Sequence, residues 1–341
     1  MSTAAAEHKA TGAGAPERGR YDVVVVGGGA AGLSGALTLS RARRSVLVVD
    51  SGRPRNAPAG HVHAYLSQEG VAPAELLATG RAEVNRYGGE FVTGTVEAAE
   101  RLESGRFRLA LCGGATVEAD RLLVTTGLVD ELPPVPGLAE RWGREVLHCP
   151  YCHGYEVRDR GIGVLSTSPM SVHQALMWRQ WSDDVTLFLH TGPEPGDDEY
   201  EQLAARGIAV VDGRVASVER TDGRLSGVVL DSGKVIARQA LVVAPRFTAR
   251  AAFLAGLGLE VAQQEMGGVV IGTRITADPN GATAVPGVWV AGNVADMSLQ
   301  VIGAAAAGVR AGAMINADLI SEETRRSVED LRHRREAPPA G

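Results

Sequence analysis

The sequence predicts an α/β protein of two parallel-sheet domains, the second inserted in the first. Two β-α-β patterns support this prediction, at 21–50 and at 161–190. Their strands are continuous apolar runs, as expected for a parallel sheet covered on both faces. A last buried strand at 288–291 and an Ala/Gly-rich helix from about 300 to 320 indicate that the first domain resumes near the end of the chain.

Each element follows from its local pattern. Apolar, β-branched runs predict strands, at 21–26, 45–50, 90–108 (a small meander), 121–126, 161–166, 185–190, 207–211, 215–219, 228–230, 241–244 and 288–291. Helical periodicity predicts helices at about 31–41, 73–87, 170–181 and 300–320. The Pro-rich crossing at 132–137 is a plausible domain boundary. The expected organisation is a tail at 1–20, a first domain at 21–131 and 247–320, a second at 132–246, and a helix end and tail at 321–341.

Composition narrows the class of protein. A length of 341 residues suffices for two domains, and 34 basic against 40 acidic residues give a net charge of −6. A net negative charge does not favour binding to nucleic acid or to anionic lipid. The sequence contains no run of 18 apolar residues, so we expect no membrane span. The first 20 residues lack the apolar core of a signal peptide. With only three cysteines, we expect a cytoplasmic, reducing location rather than a disulfide framework.

A glycine motif lies between the first strand and helix, the context that makes G-x-G-x-x-G a dinucleotide signature. Gly27 permits the tight turn, Gly29 lets a pyrophosphate approach the backbone, and Gly32 lets helix and strand pack closely. Ala30 lies at the helix N-terminus, where free N–H groups attract phosphate. Asp50 ends the second strand and can accept hydrogen bonds from an adenosine ribose. The alternative is a purely structural turn.

The segment His148-Cys149-Pro150-Tyr151-Cys152-His153 is the predicted chemical centre. C-x-x-C brings two thiols within reach of a disulfide, and Pro150 suits a first helical turn. If Cys149 caps that turn, its thiol pKa falls. Haem attachment through C-x-x-C-H belongs to exported proteins, and zinc needs about four ligands, so we expect no metal. Cys112, before two glycines, is expected to be a buried, inert thiol.

Three segments together resemble the FAD-contact segments of low-molecular-weight thioredoxin reductases: the glycine motif, Thr125-Thr126-Gly127, and Gly292-Asn293 with Gln300-Val301. The resemblance covers about 21–320 and implies two Rossmann-like, three-layer (ββα) domains binding FAD. The family usually carries Gly-Asp where this chain has Asn293, whose amide brings no charge. By resemblance, the FAD contacts beyond the glycine motif and Asp50 are Arg55, His63, Val96, Thr126, Gly127, Gly292, Asn293, Gln300 and Val301. For Arg55 and His63 the alternative is a solvated loop.

The order Cys-His-Gly-Tyr-Glu departs from thioredoxin reductases, which carry Asp after the second cysteine. It resembles the thioredoxin-reductase-like dithiol oxidases that close disulfides in natural products such as gliotoxin and holomycin. The resemblance implies that Cys152 faces the flavin as the charge-transfer thiolate and that Cys149 exchanges with substrate. It makes His153 the acid/base, because imidazole titrates near neutral pH. His148 is the alternative.

The second β-α-β unit lacks the glycines of a nicotinamide site. Ser166 and Ser168 take the glycine positions, Pro169 removes a backbone N–H, and no arginine cluster follows the strand at 185–190. We therefore expect that NADPH binding is lost, the alternative being a divergent loop that still binds it.

The predicted reaction is oxidation of a small-molecule dithiol, with molecular oxygen as acceptor and hydrogen peroxide as product. The alternatives are a thioredoxin reductase that uses NADPH or another donor, and a non-enzymatic flavin and thiol sensor. Substrate specificity is expected on loops near the cysteines, such as 61–68. The resembling families are homodimers, so we expect a homodimer.

Overall fold

The computed structural model describes residues 16–336, so the expectations for 1–15 and 337–341 lie outside the described residues. The first part of the chain forms a parallel sheet with an antiparallel extension, in the order β3-β2-β1-β6-β5-β4. Its elements are β1 (Arg20–Val26), α1 (Ala30–Arg41), β2 (Val46–Asp50), α2 (Pro73–Arg86), β3 (Glu90–Thr93), β4 (Val96–Arg101), β5 (Phe107–Leu111), β6 (Thr116–Val124) and β7 (Leu128–Glu131).

Alternate residues of β1 face two different layers, because successive strand side chains point to opposite sides. Val23 and Val25 pack with helix residues such as Leu39, whereas Val24 and Val26 pack with Phe107 of the β4–β5 extension. The parallel sheet therefore lies between helices and a second, antiparallel layer. This is the predicted three-layer ββα arrangement, and the fold class is confirmed.

The middle of the chain repeats this architecture on a smaller scale. A parallel sheet in the order β11-β10-β9-β15-β8 carries helices on one face, and a three-stranded sheet packs on the other. The elements are β8 (Val146–Leu147), α3 (Pro150–His153), β9 (Ile162–Leu165), α4 (Ser171–Trp178), β10 (Val185–Phe188), α5 (Asp197–Ala205), β11 (Ala209–Val211), β12 (Val215–Thr221), β13 (Arg224–Leu230), β14 (Val235–Ala237) and β15 (Ala240–Val242).

The chain then returns to the first sheet. β19 pairs with β6 in parallel, and the remaining strands form a four-stranded sheet in the order β17-β18-β16-β7. The elements are β16 (Arg246–Ala249), β17 (Val261–Met266), β18 (Val269–Ile275), β19 (Val288–Val290) and α6 (Val301–Glu336). The β17–β18 hairpin was not predicted from the sequence.

Helix α6 consists of a closely packed first part and a charged extension. Its Ala/Gly-rich part packs on α1 so closely that a Cβ on Gly308 would lie 2.0 Å from the Ala31 carbonyl oxygen. The helix also continues through 321–336, where a helix end and tail were expected. Ion pairs support this extension, because Arg121 binds Glu322 and Arg44 binds Glu323.

Two strands side by side connect the domains. β7 leads into the inserted domain and β16 leads out, and the two pair in antiparallel fashion, with Arg246 opposite Glu131. A further contact lies at the turn of the β17–β18 hairpin. A Cβ on Gly267 of that turn would lie 3.0 Å from the Met170 sulfur of the inserted domain.

Two further observations concern single sequence features. Cys112 is exposed, not buried as expected, because it begins the turn at Gly113 and Gly114, both with positive φ. Among residues 16–336, no helix is long and apolar enough to cross a lipid bilayer.

Candidate active site

A cavity of about 1070 Å³ runs from the glycine turn after β1 to the cysteine turn of the inserted domain. Every candidate site residue named from the sequence lines it, with the exception of Gly32. These are Gly27, Gly29, Ala30, Asp50, Arg55, His63, Val96, Thr126, Gly127, His148, Cys149, Cys152, His153, Gly292, Asn293, Gln300 and Val301.

The glycine turn has the geometry of a dinucleotide cradle. Gly27 has φ +107°, and a Cβ there would lie 2.5 Å from the Thr125 carbonyl oxygen. A Cβ on Gly32 would lie 1.9 Å from the Gly27 carbonyl oxygen, so Gly32 serves helix packing and lies outside the cavity. Gly29 instead faces open space. The first N–H groups of α1 therefore meet a space that a pyrophosphate can enter.

The Asp50 carboxylate stabilises this turn through hydrogen bonds and an ion pair. It accepts hydrogen bonds from the N–H of Gly28 at 3.0 Å and of Gly52 at 3.3 Å, and it pairs with Arg81. A carboxylate has about four acceptor positions, so one remains for a ribose hydroxyl. Arg81 was not anticipated from the sequence.

Arg55 lines the cavity, and its guanidinium contacts the side chains of three residues. Its Nε and Nη2 donate to Asp130 at 2.8 and 2.6 Å, and its Nη1 donates to Asn293 Oδ1 at 3.2 Å. The guanidinium carbon also lies 5.4 Å from the Phe247 ring centroid. The Asn293 amide nitrogen is used by the carbonyl groups of Asp296 and Leu299. Asn293 therefore presents only its oxygen to the cavity, as a carboxylate would.

The two cysteines lie where β8 meets the one-turn helix α3. Cys149 is its N-cap and Pro150 opens it, as predicted. Both thiols are free and half-buried. A hydrogen bond from the Cys152 thiol lowers the Cys149 pKa to about 7, and backbone N–H groups of Cys152 and Tyr151 and the Gln300 side chain contribute. The same hydrogen bond, together with burial, raises the Cys152 pKa.

The expectation that Cys152 forms the charge-transfer thiolate concerns a flavin-bound state. In the structure, Cys149 is the sulfur that favours the negative charge. The role of Cys152 toward the flavin stays a prediction.

Both histidines that flank the cysteines stay neutral at pH 7. Burial is the largest cause of lowering the His148 pKa to about 4, and the nearby Arg55 charge lowers it further. The His148 ring packs edge-on against Phe247 at 5.1 Å. Burial also lowers the pKa of His153, although the Glu156 carboxylate opposes that shift. A neutral imidazole can accept a thiol proton.

His63 has partners that the sequence did not reveal. Its Nδ1 lies 2.6 Å from Glu69 Oε1, and its Nε2 lies 3.4 Å from Glu156 Oε1. Glu156 belongs to the Cys-His-Gly-Tyr-Glu segment, so the motif itself contained a signal for it. Asp130 and Phe247 are distant in sequence from Arg55 and gave no such signal.

The serine loop after β9 uses two of its own N–H groups. A Cβ on Gly192 would lie 1.9 Å from the hydroxyl oxygen of Ser166, so the buried Ser166 side chain packs directly on the Gly192 backbone. The N–H of Thr167 donates to Ser171 Oγ, and that of Met170 donates to Ser168 Oγ, each at 3.3 Å. Pro169 has no N–H to offer.

Comparisons with known proteins agree with this architecture. Residues 21–312 match the pyridine nucleotide-disulphide oxidoreductase family. The thioredoxin reductase tcpT of Claviceps purpurea is 30% identical over 311 residues, which are 88% of this chain and 95% of that protein. The solved structure of HlmI is 46% identical, with a TM-score of 0.86, and the match covers 93% of this chain and 98% of HlmI.

An oxidoreductase from Agrobacterium tumefaciens is also similar. It is 38% identical, with a TM-score of 0.82, and the match covers 88% of this chain and 99% of that one. The chain is therefore an oxidoreductase of the pyridine nucleotide-disulphide oxidoreductase family, similar to its thioredoxin-reductase-like flavoproteins.

Proposed function

We propose that the chain is an FAD-dependent dithiol oxidase that closes an intramolecular disulfide in a small molecule and reduces oxygen to hydrogen peroxide. The observation that carries the proposal is one cavity that contains both the dinucleotide cradle and the Cys149/Cys152 pair with a neutral histidine beside it. The serine loop supports it further, because serines take the glycine positions of a nicotinamide site and two of its N–H groups are used within the loop.

The cavity residues fit FAD. Gly29 and the first turn of α1 would hold the pyrophosphate, Asp50 the adenosine ribose, and Asn293 Oδ1 a hydroxyl of the ribityl chain. When bound, FAD would accept two electrons and two protons from the reduced cysteine pair and deliver them to oxygen.

The thiol steps follow from the cysteine geometry. A substrate thiolate attacks Cys149 Sγ of the enzyme disulfide, and Cys152 leaves and, because its pKa is raised, takes up the proton released by that substrate thiol. His153 takes the proton of the second substrate thiol, which then attacks the substrate sulfur of the mixed disulfide. Cys149 leaves as a thiolate, and its pKa of about 7 makes it a good leaving group. The substrate has lost two electrons, and the enzyme dithiol holds them.

A thioredoxin-reductase activity is the second candidate. Its support is the similarity to relatives such as the thioredoxin reductase sirT of Leptosphaeria maculans, which is 31% identical over 312 residues. In that case NADPH would supply the electrons and the cysteine pair would pass them to a protein disulfide. A non-enzymatic sensor is a third possibility, and it predicts negligible turnover of any dithiol.

The visible absorption of the flavin distinguishes these candidates. Under anaerobic conditions, NADPH is added first and dithiothreitol second, and air is then admitted with a peroxide assay. We expect bleaching by dithiothreitol only, followed by return of colour and about one peroxide per dithiol. The Cys149→Ser variant should not bleach. Rapid bleaching by NADPH would place the reductase first, and bleaching without turnover would favour the sensor.

A further inference from the structure

A second, smaller pocket lies on the outer side of the cysteine turn. It measures about 210 Å³, and it is lined by His63, Glu69, Tyr151, Tyr155, Glu156 and Trp181, among others. His63 lines both this pocket and the large cavity, so the two spaces meet at that side chain. Nothing in the thiol chemistry above uses this pocket.

One wall of the pocket is held rigidly in place. The Trp181 ring lies 6.0 Å from that of Trp178, which is fully buried. A Cβ on Gly154 would lie 2.8 Å from the Trp181 ring, so the cysteine turn packs directly on the indole. Tyr151 meets Trp181 edge-on at 5.7 Å. The aromatic surface therefore keeps its shape next to the cysteines.

The two tyrosines of the pocket are largely exposed, although the Arg158 guanidinium carbon lies 3.9 Å from the centroid of the Tyr155 ring and covers one face of it. Tyr151 is 63% exposed and Tyr155 is 65% exposed. Aromatic rings prefer to be covered by apolar partners, and a cavity of about 150 Å³ suffices to hold a benzene ring. A pocket of about 210 Å³ lined by three aromatic side chains thus suits one planar ring of a ligand.

The opposite side of the pocket is acidic. Glu69 and Glu156 expose 63% and 41% of their side chains, and each uses an oxygen on His63. Hydrogen bonds from His63 and from the Ala64 N–H lower the Glu69 pKa, so this carboxylate is charged at neutral pH. Carboxylates accept N–H groups and repel other carboxylates. A ligand with an amide N–H fits here better than an acidic one.

We propose that this pocket binds the planar, non-acidic ring portion of the dithiol substrate while its sulfurs react at Cys149. The proposal rests on the proposed function, and it specifies the part of the substrate that does not react. Tyr151 is two residues from Cys149, which corresponds to about 8 Å or less along the chain. A small molecule can span that distance past His63.

Substrate preference tests the aromatic part. The probes are 1,2-bis(mercaptomethyl)benzene, which has a ring, and dithiothreitol, which has none. Wild-type protein should favour the ring dithiol in kcat/KM. Tyr155→Ala should reduce that preference about tenfold, the upper range for one aromatic contact, whereas Tyr155→Phe should retain it. Tyr87→Ala, which changes an exposed tyrosine elsewhere, is the matched control. An unaltered preference in Tyr155→Ala would overturn the proposal.

The acidic part is tested with a matched pair of dithiols, dihydrolipoamide and dihydrolipoate. We expect wild-type protein to favour the amide about threefold, and the double variant Glu69→Gln/Glu156→Gln to make the two nearly equal. Equal kcat/KM for both dithiols with wild-type protein would contradict the proposed role of Glu69 and Glu156 in disfavouring an acidic ligand.

A binding measurement separates this proposal from the proposed function. The S,S′-dimethyl derivative of the ring probe cannot react, and its affinity is measured by calorimetry with the flavin-containing protein. Weaker binding to Tyr155→Ala than to wild type supports the pocket even if no dithiol is turned over. Equal binding, or none to either protein, overturns it whatever the turnover shows.

Discussion

The thiolate at Cys149 depends on its neighbour Cys152, and this dependence can be measured. The hydrogen bond from Cys152 is the largest cause of lowering the Cys149 pKa from 9.0 to about 7. At pH 7 about half of Cys149 is then thiolate, against about one part in a hundred for an unperturbed thiol. Cys152→Ala removes that donor, whereas the backbone N–H groups of α3 remain. We therefore expect a midpoint between 7 and 9, and about a tenfold loss of thiolate at pH 7.

The assay is alkylation of the reduced protein by iodoacetamide from pH 5 to 10, with the modified cysteine identified by peptide mass spectrometry. A Cys112→Ser background is needed because Cys112 is exposed and reacts as well. Before Cys152 is changed, Cys149 should be the first site modified, with a midpoint near pH 7. The reasoning is refuted if Cys152 is modified first, or if Cys152→Ala leaves the midpoint unmoved.

Three further predictions concern the cavity. Gly29→Ala should reduce the flavin content with little change in the Tm of the flavin-free protein. Gly32→Ala should lower that Tm, because its Cβ would clash with the Gly27 carbonyl oxygen. Equal effects of the two variants would contradict the assigned roles. Arg55→Met should destabilise the protein by about 2–3 kcal/mol in urea unfolding, because it leaves the Asp130 carboxylate buried without its partner; replacing that carboxylate as well should recover part of the loss. His153→Gln should reduce dithiol turnover at least about 100-fold with normal flavin content, and a smaller effect would assign the proton transfer elsewhere.

Local signals in the sequence were sufficient for the α/β class and for the glycine and cysteine turns of the cavity, whereas Arg55, His63 and Val96 were named through the family resemblance. The glycine turn and the cysteine turn each depend on neighbouring residues, so their spacing predicts their geometry. Of the predicted site residues, only Gly32 lies outside the cavity. Its backbone packs so closely on the Gly27 carbonyl oxygen that no open space remains beside it.

Long-range contacts account for what the sequence did not reveal. Asp130 pairs with Arg55 across 75 positions of the chain, and no local pattern encodes that distance. The end of α6 is rich in charged residues and largely exposed, so periodicity does not fix where the helix ends. Its ion pairs with Arg44 and Arg121 join it to distant parts of the chain. β17 has few apolar residues to mark it, although Gly267-Gly268 is a typical turn pair and β18 begins with three apolar, β-branched residues.

The way in which the inserted domain is attached has a mechanical consequence. The two adjacent strands β7 and β16 form a two-stranded connection that can serve as a hinge between the domains. The approach of Met170 to the Gly267 turn is a second contact between the two domains. In this domain position the cysteine turn and the glycine turn line the same cavity. Under the proposed function, electrons enter directly at the cysteines, and turnover then requires no second domain position.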